Sequence, residues 1–322
     1  MSKVIDQLAA RIFEQGVGTD EAINPFWQRQ LENFRSRFAA DGRLSVEAMY
    51  CLGYWEEELP GGQGNRDLAS WERVWKACLK VDPEGLSKGE SEHVGALVVL
   101  HRHNLIDQYL ATLDRLRLVS SMSIARHYFY RRQLLAVRKE PSHVLEIGAG
   151  SGHFAWLAAD AGLVRHYVIV DLPEMLLNSG GTLARRLPTA TLHGREAPDL
   201  SAGGMHIWLL EPADIGLIPD RSIDIALNFN SFMEMDDEVR DQYLAQVYRT
   251  ARPGAIFYNV NRLQRKMTRR DGSTFEGNPL LYPYRPTDHV LSWGPDEMQQ
   301  SIRSRNFHPP GSFAISRLAR LA

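Results

Sequence analysis

Beyond about residue 140, apolar positions fall into short runs, separated by stretches in which they return every three or four residues. The runs HVLEIG (143–148), HYVIVD (166–171), MHIWLLE (205–211), SIDIALNF (222–229) and AIFYNVN (255–261) predict strands. Between them, HFAWLAADAGL (153–163) puts Phe154, Leu157, Ala158 and Ala161 on one helical face. PEMLLNSGGTLARRL (173–187) and DDEVRDQYLAQVYRTA (236–251) also read as helices, the latter with Asp236 as N-cap and Pro253–Gly254 as its stop. Strands that alternate with helices predict an α/β fold whose parallel sheet is covered on both faces.

Before residue 140 the period is helical. Residues 1–15 form an amphipathic pattern, and Phe26, Leu31, Phe34 and Phe38 sit near helical spacing before Gly42. Trp71, Trp75 and Cys78 share a face more typical of core than of a sugar platform. Residues 94–119 read as one long helix and 123–137 as another, while the stretch 59–67, rich in glycine, is a loop. The expected organisation is a helical region over 1–135, serving as lid, acceptor pocket or dimer contact, and a second domain over 136–322.

Composition narrows the classes. With 44% hydrophobic and 24% charged residues the chain is ordinary globular material, and a net charge of −2 gives no footprint for nucleic acid or an anionic membrane. Cys51 and Cys78 make neither a disulfide framework nor a zinc pattern, so a cytoplasmic, reducing setting is expected. His93, His101 and His103 lack a carboxylate or thiol to complete a metal site. The N-terminus does not resemble a secretory signal, and the apolar run GALVVL is too short to span a bilayer.

The chemistry concentrates in VLEIGAGSGHF (144–154). Glu146, Gly148, Gly150 and Gly152 spell E-x-G-x-G-x-G at the end of the first strand, where open α/β sheets bind ligands. The dinucleotide fingerprint G-x-G-x-x-G fails, because His153 stands at its third glycine. The observed spacing is the pattern of class I S-adenosylmethionine (SAM) methyltransferases, and a tight turn without a ligand is the competing explanation. Asp171 ends the second strand 19 residues after Gly152, the place for a carboxylate that accepts from a ribose diol; alone it is equally a helix N-cap.

Together with that loop, VDLPE (170–174), IDIALNFNSFMEM (223–235) and FYNVNR (257–262) resemble the sugar O-methyltransferase family, with a weaker echo in YPYRP from Tyr282. The resemblance covers about residues 142–286. It implies a class I methyltransferase Rossmann-like sheet, SAM as cofactor and an oxygen on a small-molecule acceptor. Residue by residue, it assigns Glu146, Gly148, Gly150, Gly152, Asp171 and Leu172 to the cofactor. Asn228 falls near the methionine moiety, and Glu211 or Asp214 beside the adenine, unless the latter two are plain surface acids. Asn230, Asn261 and Arg262 fall to the acceptor. Glu234 is the preferred base, in an apolar setting expected to raise its pKa, although an acid there also suits a helix N-terminus. His289 and His153 are alternatives, and His153 also suits the SAM carboxylate. Arg262, Arg265, Lys266, Arg269 and Arg270 make either an anion site or a solvated loop. No N/D-P-P-Y/F motif follows the fourth strand, which argues against base and glutamine methylation. Methylation of a carboxylate or amine, including one on a peptide natural product, and SAM binding without turnover are the alternatives to O-methylation. A homodimer is compatible with all of these.

Overall fold

The structure is a computed structural model that describes residues 3–15, 74–77, 86–116, 118–263, 265–268, 272–304 and 313–322. The expected helix at 24–42, the loop at 59–67, Trp71, Cys78, Arg269 and Arg270 lie outside them.

An eight-stranded sheet has the order β3-β4-β2-β1-β5-β6-β10-β9. Its strands are β1 (Ser142–Ile147), β2 (Val164–Val170), β3 (Thr191–His193), β4 (His206–Leu210), β5 (Ile223–Phe229), β6 (Ala251–Arg262), β9 (His289–Pro295) and β10 (Ala314–Arg320). Every pairing among β1 to β6 is parallel, and β10 alone runs opposite to its neighbours β6 and β9. β7 (Arg265–Thr268) and β8 (Thr274–Gly277) form a separate antiparallel ribbon. Chain order reverses at β1, with β2 and β4 to one side and β5 and β6 to the other. The tips of β1 and β5 therefore border the crevice where a doubly wound sheet binds its ligand. This is a doubly wound, Rossmann-like architecture.

β1 and β5 are buried along their whole length. Val144 and Ile225 feed one apolar layer and Leu145 and Ala226 the other, as the two-residue period of a strand requires. The first layer is covered by α1 (Lys3–Gln15), α2 (Lys88–Arg102), α3 (Ile106–Leu116), α4 (Met122–Val137), α5 (His153–Asp160), α6 (Pro173–Arg186) and α8 (Glu297–Ser304). The second is covered by α7 (Asp237–Thr250). Helices of the first 135 residues and the sheet thus share one continuous core, and the boundary at 135/136 runs through it.

Local chemistry explains where helices begin and end. Ser87 and Glu90 cap α2 reciprocally, at 3.2 and 2.9 Å. Ser121 accepts from the Ile124 amide at the start of α4. The single helix expected over 94–119 is broken, because Asn104 adopts φ +55° and Leu105 N bonds back to Leu100 O. Asp236 does occupy the N-cap of α7, without a side-chain cap bond. Pro253 and Gly254 lie within β6 rather than in a stop after the helix. Strands β3, β9 and β10 were not evident from the sequence: β3 is a short edge strand, and β10 carries a buried arginine. Arg317 pairs there with Asp288 at 2.8 Å beneath Tyr284. Among the described residues no helix is long and apolar enough to cross a membrane.

α2 crosses α8 at a close approach. A Cβ at Gly95 would stand 2.5 Å from the Ser301 carbonyl oxygen, and Ser301 Oγ donates to Gly95 O at 2.8 Å. Gly95→Ala must therefore push two helices apart and should cost about 1–3 kcal/mol in urea denaturation. An unchanged midpoint would show that this crossing is not tightly packed.

Candidate functional site

The loop after β1 is held in a backbone that only glycine adopts easily: Gly148, Gly150 and Gly152 have φ of +74°, +58° and +72°. At Gly148 the reason is also space, since a Cβ would meet Ser231 Oγ at 2.2 Å. The first glycine thus lets the loop lie against the turn after β5. The Gly150 amide donates to Asp171 Oδ2 at 2.9 Å, and the Leu172 amide donates to Oδ1 at 2.9 Å. The loop, the tip of β2 and the start of α6 are thereby tied to one carboxylate. The Ala149 amide also bears on this carboxylate.

Burial pushes the Asp171 carboxyl up to about 6 against the pull of those amides, and the charge of Glu234 adds to the rise. The sequence-predicted base Glu234 is therefore within electrostatic reach of the sequence-predicted ribose ligand. Glu146 lies deeper. It is buried on β1 and accepts from Tyr167 OH at 2.7 Å, and burial raises its carboxyl to about 7. It braces the strand beneath the loop.

A carboxamide network joins the tips of β5 and β6. Asn228 donates to Ile147 O at 2.9 Å and to Ser231 Oγ, and its Oδ1 accepts from the Phe232 amide at 3.2 Å and from Asn261 Nδ2 at 2.8 Å. Asn261 also donates to Asn259 Oδ1 and accepts from the Met233 amide at 3.0 Å. Asn228 and Asn261, both expected at the ligand, are hydrogen-bonded inside the protein. What they do is hold the 3-10 turn Phe232–Glu234, and so fix where Glu234 stands.

Asn230 differs. It has φ +65°, and both polar atoms of its side chain are buried without a hydrogen-bond partner. A strained backbone carrying an unmet amide at a strand tip suits a ligand contact. Arg262 ends β6, where its amide donates to Met233 Sδ at 3.3 Å.

On the far side of β2, Glu211 is paired with Arg11 of α1 and lies 3.5 Å from Arg195, while Asp214 accepts two bonds from Arg195 at 2.7 and 2.9 Å. The acids proposed for adenine form a clasp between α1, β4 and the loop after β3. His289 does not join the site. It is exposed at the start of β9, level with Ile256 through Arg320, about 20 Å along the strands from the ligand edge at 3.3 Å per residue. His153 is buried, with Nδ1 against Ser151 Oγ and 3.1 Å from Ser123 Oγ.

The sequence showed α4 only as a helix, yet it supplies a wall of the crevice. Tyr130 stacks on Phe229 at 4.9 Å and donates to Asp296 Oδ1 at 3.0 Å, and the His127 ring lies 5.9 Å from that of His153. Ser123, His127 and Tyr130 recur at i, i+4 and i+7, a spacing legible before the fold is known. Among the described residues no group of three or more His, Cys, Asp or Glu is arranged to hold a metal ion.

No protein-family model matches the chain, and no curated protein does. Solved structures with a similar fold include a Burkholderia thailandensis 1,6-didemethyltoxoflavin-N1-methyltransferase with bound 1,6-didemethyltoxoflavin and S-adenosylhomocysteine. It is 15% identical, with 69% of this chain and 88% of that one covered at a TM-score of 0.41. A SAM-dependent methyltransferase from Aquifex aeolicus is 16% identical, over 60% and 89% of the two chains, at 0.37. TYW2 of M. jannaschii, in complex with AdoMet, is 9% identical over 60% and 74%, also at 0.37. Likenesses this remote assign no activity.

Glu146 makes a pH test. Its folded carboxyl, raised to about 7, binds a proton that the unfolded chain has already released, so stability falls as pH rises from about 4.5 to 7. Glu146→Gln removes that penalty, by roughly 3 kcal/mol at most above pH 8. Urea denaturation should show the variant gaining on wild type between pH 5.5 and 8.5. A constant difference would place the charge elsewhere.

Proposed function

We propose that this chain is a SAM-dependent methyltransferase that methylates an oxygen of a small metabolite, with a sugar hydroxyl as first choice. One observation carries the proposal: a left-handed glycine loop at the β1–β5 crevice, pinned through Gly150 to a carboxylate at the tip of β2. A ribose diol needs two acceptors side by side, and Asp171 offers them. Helix α5 starts directly from the same loop. These features fit the adenosine of SAM, and the orphaned Asn230 amide fits a group bound beyond it.

When bound, SAM supplies a methyl group on a sulfonium, already activated for in-line displacement. The protein's part is placement and proton management. Asp171 fixes the nucleoside. The Asn228–Asn261 network sets the turn that carries Glu234, and Glu234 takes the proton of the acceptor hydroxyl as the new C–O bond forms. Phe232 and Met233, both buried in that turn, keep water from its inner side.

Calorimetry with SAM tests the donor site. Asp171→Ala should weaken binding about tenfold or more, through two lost hydrogen bonds. Because the carboxyl offers two strong acceptors only when ionised and sits at about 6, wild-type affinity should fall as pH drops below 6. The variant's affinity should stay flat, and SAM binding that ignores both the mutation and pH would remove the ribose assignment. For the base, S-adenosylhomocysteine release is followed over a panel of sugars and hydroxy acids. Glu234→Gln should lower kcat about a hundredfold with SAM affinity kept, whereas full turnover would leave alignment alone as the catalyst.

A further inference from the structure

At the start of the sheet, away from the ligand edge, histidines stand in a row. His143, His166 and His206 are cross-strand partners on β1, β2 and β4, two residues before Leu145, Val168 and Trp208 on the same face. Ring centroids are 5.2 Å apart from His143 to His166 and 5.5 Å from His166 to His206. His193, the last residue of β3, extends the row, and its ring stacks on His206 at 5.0 Å and on Trp208 at 4.8 Å.

The hydrogen bonds at that end of the row have a fixed direction. His206 Nε2 lies 2.9 Å from Gly203 O, and a carbonyl only accepts, so Nε2 carries the proton. In the neutral ring Nδ1 is then bare, and it accepts from His193 Nε2 at 2.7 Å. His193 Nδ1 faces Glu196 Oε1, and a carboxylate also only accepts. The two rings together therefore donate through three N–H groups, one proton more than two neutral imidazoles carry. Beside an ionised Glu196 the extra proton makes His193 an imidazolium, held between that carboxylate and the face of Trp208.

We infer that His193 and His206 form a pH-sensitive latch, which holds residues 191–196 against β4 while His193 is protonated. The rest of the row leaves this charge to His193. Burial holds the His143 and His166 rings below the ordinary imidazole range, and the charge of Arg165 acts the same way on both. The other charged groups along the row are Asp199 in the loop after β3, Asp224 on β5 and Arg252 on β6, the last two paired at 2.9 Å. Glu196 is the one bonded to His193. Once His193 loses its Nδ1 proton, a bare nitrogen faces a carboxylate oxygen, and the chain of bonds has to break at one end. Release therefore follows as pH rises through the range in which imidazoles titrate.

The residues held are a junction. Gly194 leaves room for α1, since a Cβ there would stand 3.8 Å from Val4 Cγ1. Arg195 holds Asp214 at 2.7 and 2.9 Å and lies 3.5 Å from Glu211. Glu211 in turn follows Leu210, whose carbonyl accepts from the Asp171 amide at 3.2 Å. The latch thus sits at one end of a polar chain that runs to the tip of β2. The inference stands apart from the methyltransferase proposal and needs neither donor nor acceptor.

Two measurements on the full chain test the latch. NMR of nitrogen-15-labelled histidine reads the protons directly, with His193→Gln and His206→Gln used to assign the signals. At pH 5.5 His193 should show both ring nitrogens protonated, and His206 a bare Nδ1. A His193 with one bare nitrogen at that pH, or a His206 whose bare nitrogen is Nε2, overturns the latch. Hydrogen exchange with mass-spectrometric detection reads the release. After correction for the intrinsic pH dependence of exchange, protection of residues 191–196 should fall about threefold or more from pH 5.5 to pH 8, the scale of one exposed charged pair. Glu196→Gln keeps an oxygen acceptor and adds an N–H donor, so it meets either form of the ring, and its protection should stay level over the same range. Glu196 is exposed, so this variant should fold as wild type does. Wild-type protection that ignores pH, or protection that falls as steeply in Glu196→Gln, overturns the inference.

Discussion

The bond from the Gly150 amide to the Asp171 carboxylate is the constraint around which the crevice is arranged. It joins the end of β1 to the end of β2 by a charge-assisted contact, and it is possible only because the intervening backbone turns left-handed. The price is a carboxylate pulled out of water, visible as a carboxyl raised to about 6. Glu146 below it and Asp296 across the crevice are raised for the same reason, burial. A protein that concentrates three such acids beside one crevice gives up stability at neutral pH, and function is the usual ground for doing so.

On the other side of the switch point the tips of β5 and β6 are joined by amides rather than charges. Asn228, Asn259 and Asn261 exchange hydrogen bonds with one another, and with Ser231, the turn amides and Tyr284 OH. A neutral network suits this place. It holds the Phe232–Glu234 turn in position without adding charge next to Glu234. Ser231 then fills the space that Gly148 leaves, so the turn after β5 and the loop after β1 are packed as one unit.

The helices that precede β1 are part of that unit. α4 lays His127 and Tyr130 against Phe154 and Phe229, α8 crosses α2 at Gly95, and α1 lies over Gly180 of α6 while Arg11 reaches Glu211. The crevice is therefore walled by residues far apart in the chain. Substitution in the first 135 residues is expected to act on the site through contact, since α1 and α4 share one apolar core with the sheet.

Much of the fold was written in local pattern. The strands β1, β2, β4, β5 and β6 are apolar runs between helical periods, and the α/β alternation follows from the two periodicities alone. The glycine spacing and Asp171 were equally legible, because left-handed backbone and a strand-end acid leave marks at fixed offsets. Tertiary structure decided what depends on partners. Asn228 and Asn261 stand in strand-tip motifs that look like ligand contacts, and each is hydrogen-bonded to the other and to a turn amide. Asn230, two residues from Asn228, is left unmet. Glu211 and Asp214 turn to arginines distant in sequence, and His289 is carried to the far end of β9. Periodicity is a property of the chain, whereas whether a polar atom is satisfied depends on what folding brings beside it.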